Sequence, residues 1–255
     1  MVIFPKPKWT VCELFGIPVM IDITFALLLL MFLQSGSSFA EGMSSALILA
    51  ISIVAHEFGH ALTGRVFGCE TQSITLSFIG GCASMVSMPR KGWQEFLVAL
   101  AGPLVSFALA LCSFLVFWMV PVENGFVVDS LWYLMWLNFI LGCFNLLPGF
   151  PMDGGRIFRS VMMLFMSRPK ATFVAMWIGR VFAILLGLSG LYALFHKESW
   201  AVVRIFIAWM IWQDGYREYQ LALMESNWRY QDFRAHVSPP PYGGEGDDCD
   251  VTKDS

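Results

Sequence analysis

The chain reads as an all-α polytopic membrane protein with about six transmembrane helices and a small β-hairpin between the second and third. Three observations carry that expectation. Of its 255 residues, 57% are hydrophobic and only 14% charged, and mean hydropathy is +0.64, a composition foreign to soluble globular chains. Apolar runs of about twenty residues recur along it, each enough to cross roughly 30 Å of hydrocarbon as a helix. Between the second and third runs, residues 73–78 alternate polar with apolar side chains, which is the period of a strand. A net charge of −3 offers no basic footprint, so no nucleic acid is expected as a partner and the lipid bilayer is the medium this chain is built for. Cys12, Cys69, Cys82, Cys112, Cys143 and Cys249 include no CxxC pair, which argues against both a zinc ribbon and a disulfide framework.

Residues 15–33 form the first run, with Asp22 as its one charge. Lys6 and Lys8 precede it in the manner of a signal peptide, but the run is too long and no small-residue cleavage site follows, so it is expected as the first span. Residues 34–42 make a polar turn and 43–63 the second span. Residues 65–94 are too polar to cross. There the alternation at 73–78, Gly80-Gly81 and the following 82–86 predict a hairpin, whose edge near Ile74 to Phe78 would accept an extended peptide. An amphipathic connector lying on the membrane surface is the other reading. Residues 96–120 make the third span, interrupted by Ala101-Gly102-Pro103, either a packing seam against the second span or an ordinary kink.

The fourth span, 127–150, ends in Asn145-Leu146-Leu147-Pro148-Gly149-Phe150-Pro151-Met152-Asp153-Gly154-Gly155-Arg156. Its prolines and glycines predict an unwound helix, tolerated at membrane depth only where the backbone is buried in protein or lines a cavity. Residues 173–195 form a fifth span containing Arg180, read as snorkelling or interhelical. Residues 200–213, extending toward Leu223, form a sixth. The intramembrane core is expected over 1–225 and a disordered cytosolic tail over 226–255, where Pro239-Pro240-Pro241-Tyr242 hints weakly at a polyproline ligand. Lys6, Lys8, Arg65, Arg90, Lys91, Arg156, Arg159, Arg168, Lys170, Arg217, Arg229, Arg234 and Lys253 would share one side, leaving Lys197 alone opposite. The positive-inside rule then puts both termini in the cytoplasm.

Inside the second run stands His56-Glu57-Phe58-Gly59-His60. Histidines four apart on a helix share a face and can reach one metal ion, while the intervening glutamate turns toward a metal-bound water. Ionised groups at bilayer depth cost roughly 2 to 3 kcal/mol or more each, so they usually face a partner, cavity or ion. A catalytic zinc takes three protein ligands. Asp153 is the leading candidate for the third, because it ends the broken helix on the same side as the histidines; Asp22 is the lesser one.

HEFGH in the second span, the Ala-Gly-Pro triplet, and Asn145-Leu146-Leu147-Pro148 with Asp153-Gly154-Gly155 together resemble the site-2 protease family of intramembrane zinc metalloproteases. The resemblance covers roughly residues 15–195. It implies one zinc on His56, His60 and Asp153, Glu57 as general base, and Asn145 as a polar group near the cleavage centre. It also implies cleavage of a transmembrane protein substrate within the bilayer, often to release a cytosolic regulator, with a regulatory membrane protein as a candidate partner. No segment has the length of the inserted PDZ or appended CBS domain of some members, so a minimal core is expected. Two other classes compete on the residues alone. A membrane metal-ion transporter accounts for His56, His60 and Asp153 but gives Glu57 no duty. A catalytically silent protease-like scaffold sits poorly with an intact HExxH.

Overall fold

Residues 15–33, expected as one helix, fold as two different elements. The computed structural model describes residues 8–33, 38–77, 80–85, 91–119, 125–198 and 201–237. Strand β1 (Lys8–Leu14) turns at Phe15 and Gly16, both with positive φ, into β2 (Ile17–Asp22), and only then does helix α1 (Ile23–Leu33) begin. Pro18 lacks the amide proton a helix interior needs, and β-branched Ile17, Val19 and Ile21 favour an extended backbone. Asp22 starts the helix, its Oδ1 accepting from the Thr24 amide at 2.9 Å. At 1.5 Å per residue α1 spans about 16 Å, too short to cross alone.

The segment nevertheless runs the length of the next helix, α2 (Phe39–Val66). At one end Arg65 donates to the Phe15 carbonyl at 3.0 Å and the Phe15 ring stacks on Phe58 at 5.7 Å. At the other, the backbone of Leu33 lies against Gly42. What composition alone suggested as a helix is a path half strand and half helix.

The strand has a partner that sequence alone did not reveal. After α2, β3 (Thr71–Ser77) pairs parallel with β2, Val19 opposite Ile74, and antiparallel with β4 (Gly80–Met85). The hairpin expected after the second span is therefore present, as half of a four-stranded sheet ordered β1-β2-β3-β4, and the surface-connector reading falls. The all-α class with one hairpin gives way to a mostly helical protein with a small four-stranded sheet. Ile74 to Ser77 lie on an inner strand, so the outer strand on that side is β4; Phe78 lies outside the described residues. Ile17, Val19, Ile74 and Leu76 pack on Phe25, Leu49, Ile53, Phe58 and Ala61, which presses the sheet against the turns of α2 that carry the histidines.

Helices α3 (Gly92–Phe117), α4 (Gly125–Asn145) and α6 (Arg168–Phe195) join α2 as the helices long and apolar enough to cross a membrane; among the described residues there are four. Polar side chains bridge them, as expected where lipid offers no competing partner. Asn138 of α4 donates to Ser52 Oγ of α2 at 2.8 Å, and Ser113 of α3 donates to the Leu131 carbonyl at 2.7 Å. The run expected as a sixth span falls in the first part of α7 (Ala201–Val237), one long helix packed along α6 through Gly190, beside Ile205 and Ala201, and α7 is not among those four. Arg180 does the interhelical work anticipated for it, its guanidinium 4.5 Å from the Trp212 ring and 5.0 Å from that of Trp177. The boundary expected at residue 226 falls inside α7, and the proline run lies outside the described residues.

Candidate metal centre

Helix α4 stops at Asn145, and residues 146–152 turn back to start the short helix α5 (Asp153–Met162). Two prolines and Gly149 end α4; Gly154 and Gly155 let the turn fold over the first residues of α5. A Cβ on Gly154 would collide with the backbone of Leu146 and Leu147, and one on Gly155 would lie 2.7 Å from the Phe150 nitrogen. The turn is held from behind by α6, where the Phe150 amide faces the Ala175 carbonyl at 3.4 Å. Asp153 thus begins a new helix instead of ending the old one, with its carboxylate at the positive end of the helix dipole.

That carboxylate reaches both histidines. Asp153 Oδ2 lies 3.0 Å from His56 Nε2 and 3.1 Å from His60 Nε2, and the two Nε2 atoms are 3.2 Å apart. All three residues are buried or nearly so, as is Glu57. Of the two acids weighed as third partner, the structure brings in Asp153; Asp22 caps α1.

The other ring nitrogens are held from α3. The Val98 carbonyl, 2.7 Å from His60 Nδ1, only accepts, so that Nδ1 carries a proton and a neutral ring presents its Nε2 lone pair. Ser106 Oγ lies 2.9 Å from His56 Nδ1, a hydroxyl that can donate or accept there. With both rings neutral, two imidazole lone pairs and a carboxylate oxygen converge, an arrangement that suits a cation between them. Their triangle of 3.0, 3.1 and 3.2 Å is close to one face of a tetrahedron with bonds of about 2.0 to 2.1 Å, whose edge is roughly 3.3 Å. The donor set fits a metal ion of the zinc class.

Sequence reading anticipated α3 as the third span but not the residues on it that support the imidazoles. Glu95, Val98, Gly102 and Ser106 succeed one another at helical spacing on one buried face of α3. Val98 and Ser106 hold the two imidazoles. Gly102 makes room for them, since a Cβ there would meet the His60 ring and lie 2.7 Å from His56 Nε2. Gly59 returns the favour, facing the Ala101 carbonyl, so the Ala-Gly-Pro triplet is the seam between α2 and α3. Asn145 is half-buried at the end of α4, its amide donating back to the Leu141 carbonyl at 3.0 Å; no described hydrogen bond joins it to the three converging residues.

Glu95 opens a second buried cluster. Arg159 of α5, 1% exposed, donates from Nε to Glu95 Oε1 at 2.8 Å, with Nη2 closing on the same oxygen and Nη1 3.4 Å from Glu218 of α7. Arg156 also reaches Glu218, at 3.5 Å, and Arg168 lies between Glu95 and Glu225. Burial by itself would raise the Glu218 carboxyl; Arg156 and Arg159 outweigh it and hold that group below the ordinary carboxylate range. These arginines, counted from sequence as interfacial charges, are largely consumed in pairs.

A family model described as Peptidase family M50 matches residues 44–124 and 120–188. Among curated proteins, a zinc metalloprotease of Methanocaldococcus jannaschii is 36% identical over 184 residues, 70% of this chain and 52% of its own length. Stage IV sporulation protein FB of Bacillus subtilis is 26% identical over 179 residues, 69% of this chain and 60% of its own. This chain therefore spans about half the length of the first. Among solved structures, the site-2 protease from Methanocaldococcus jannaschii superposes with a TM-score of 0.65 at 28% identity, covering 84% of this chain and 95% of that one.

Proposed function

The chain belongs to peptidase family M50, and from that premise we propose that it is an intramembrane zinc endopeptidase that cleaves transmembrane segments of other membrane proteins. The observation that carries the reading is the convergence of three buried acceptors, His56 Nε2, His60 Nε2 and Asp153 Oδ2, on helices of a multi-pass membrane protein. These three would hold one zinc per chain. When bound, zinc supplies Lewis acidity and lowers the pKa of a water toward about 7.

The chain's own residues supply the rest. Val98 and Ser106 keep both imidazoles in the tautomer that binds. Glu57, buried beside His56, takes the proton as general base and returns it to the leaving amine. Asn145, at the end of α4, offers its amide to the substrate backbone after releasing the Leu141 carbonyl. A substrate helix must unwind before its carbonyls are accessible, and the outer strand β4 is the edge on which an unwound segment can be held. Arg65 and Lys170, with the basic residues near the N-terminus, support a cytoplasmic placement of both chain ends and of this centre. Release of a cytosolic regulator, under control of a membrane partner, follows from the same reading.

The test is co-expression with tagged single-span membrane proteins, comparing wild type with Glu57→Gln. The variant should keep its zinc and lose roughly a hundred- to ten-thousand-fold in cleavage. Cleavage at the wild-type rate by Glu57→Gln would sink the mechanism, and ion flux with no cleavage by either form would turn the reading toward transport.

A further inference from the structure

The helix that carries Asp153 is poorly anchored by ordinary means. α5 has ten residues, and its buried ones are Asp153, Gly154, Gly155, Arg159 and Ser160; none brings a large apolar side chain to the core. A helix this short is marginal by itself, and the side chains of its apolar face are only half-buried at Ile157, Phe158 and Met162 and exposed at Val161. Ser160 bonds within the helix, to the Arg156 carbonyl at 2.7 Å. The side chain that reaches deepest into neighbouring elements is Arg159. Its fork closes on Glu95 of α3 at 2.8 Å, an outer nitrogen meets Glu218 of α7 at 3.4 Å, and its plane lies 4.8 Å from the Phe150 ring in the turn just before α5. Six residues separate it from Asp153, about 9 Å along the axis. The Glu95 that receives it is one turn from Val98, whose carbonyl sets His60. One face of α3 thus sets both histidine rings directly and the carboxylate at one remove.

We propose that Arg159 is the positioning residue of the centre: clamped between Glu95 and Glu218 over Phe150, it sets the tilt and depth of α5 and with them the approach of the Asp153 carboxylate to the two imidazoles. This rests on the reading of His56, His60 and Asp153 as the metal site. A planar, bidentate guanidinium suits the task because it fixes direction as well as distance, which a lysine does not.

Three measurements on the full chain in detergent test it. By competition with a chelator, Arg159→Gln should bind zinc about ten- to a hundredfold more weakly, the loss typical of outer partners of a metal ligand, and Arg159→Lys should fall between it and wild type. Replacing both members of the pair, Glu95→Gln with Arg159→Gln, should restore thermal stability without restoring zinc affinity, because it removes the unpaired buried charge but not the loss of direction. The third readout needs no metal: in Asp153→Cys protein the buried thiol should alkylate several-fold faster once Arg159→Gln is added, followed by mass spectrometry of that peptide. Should Arg159→Gln fail to fold, the partly exposed Glu218→Gln carries the same two readouts with a smaller expected loss. Wild-type zinc affinity and an unchanged alkylation rate in folded variants would overturn the proposal. Faster alkylation in a protein whose wild type holds no zinc would uphold the positioning while removing the metal reading.

Discussion

Two buried polar clusters lie within about two turns of each other on α5, and they are opposites. Around Arg159, the carboxylates of Glu95, Glu218 and Glu225 face the guanidinium groups of Arg156, Arg159 and Arg168, so the cluster is neutral and its charges answer one another. Around Asp153, two imidazole nitrogens and a carboxylate oxygen, all atoms of the kind that bind a metal, converge on one point. Burying charge is costly in either case. The first cluster pairs opposite charges across three helices. The second gathers atoms of ligand type at one point, and that difference distinguishes a candidate centre from a structural ion-pair network.

The contrast is sharpest at Asp153. Asp153→Ala leaves two histidines, a poor site, so metal analysis of the purified protein should show most of the zinc gone; full retention would move the third-ligand role elsewhere. Next comes Gly102→Ala, which inserts a methyl group where the His56 and His60 rings stand. It should weaken zinc binding and lower stability by about 1 to 3 kcal/mol, whereas an unchanged melting curve and zinc content would mean that α2 and α3 can separate freely. A smaller effect is expected away from both clusters: Asn138→Ala removes the bond to Ser52 and should cost about 0.6 kcal/mol, the average for interhelical hydrogen bonds in a bilayer. Denaturation in mixed micelles would read it, and zinc content should not move.

The self-balanced cluster makes the mildest prediction. Glu218 titrates lower in the folded protein than its ordinary value, so its contribution is present above the unfolded pKa of about 4.3 and is lost as pH falls through the folded value. The melting-temperature gap between wild type and Glu218→Gln should therefore be visible near about pH 7 and close as pH falls below the ordinary carboxylate range. A gap that stays constant with pH would mean the carboxylate's charge contributes nothing there.

Local pattern was enough for some of this protein. The membrane class follows from composition, the shared face of His56 and His60 from a spacing of four, and the hairpin at residues 71–85 from alternation, because each depends on residues close in the chain; Gly80 and Gly81, expected as its turn, instead pair with Ser77 and Leu76 as the start of β4. The unwinding before Asp153 was legible for the same reason, since proline and glycine act on their own backbone. Residues 15–33 were misread as one helix because hydrophobicity does not distinguish a strand from a helix when both are buried; the outcome turned on β3, more than fifty residues later, offering a parallel partner. The sequence already favoured Asp153 over Asp22, and the tertiary structure brings it to the histidines; only that structure showed that Glu95, Val98, Gly102 and Ser106 form one supporting face. Those roles arise from what stands opposite each residue, at His56, His60 and Arg159, and pairing between distant segments leaves no periodic mark in any one of them.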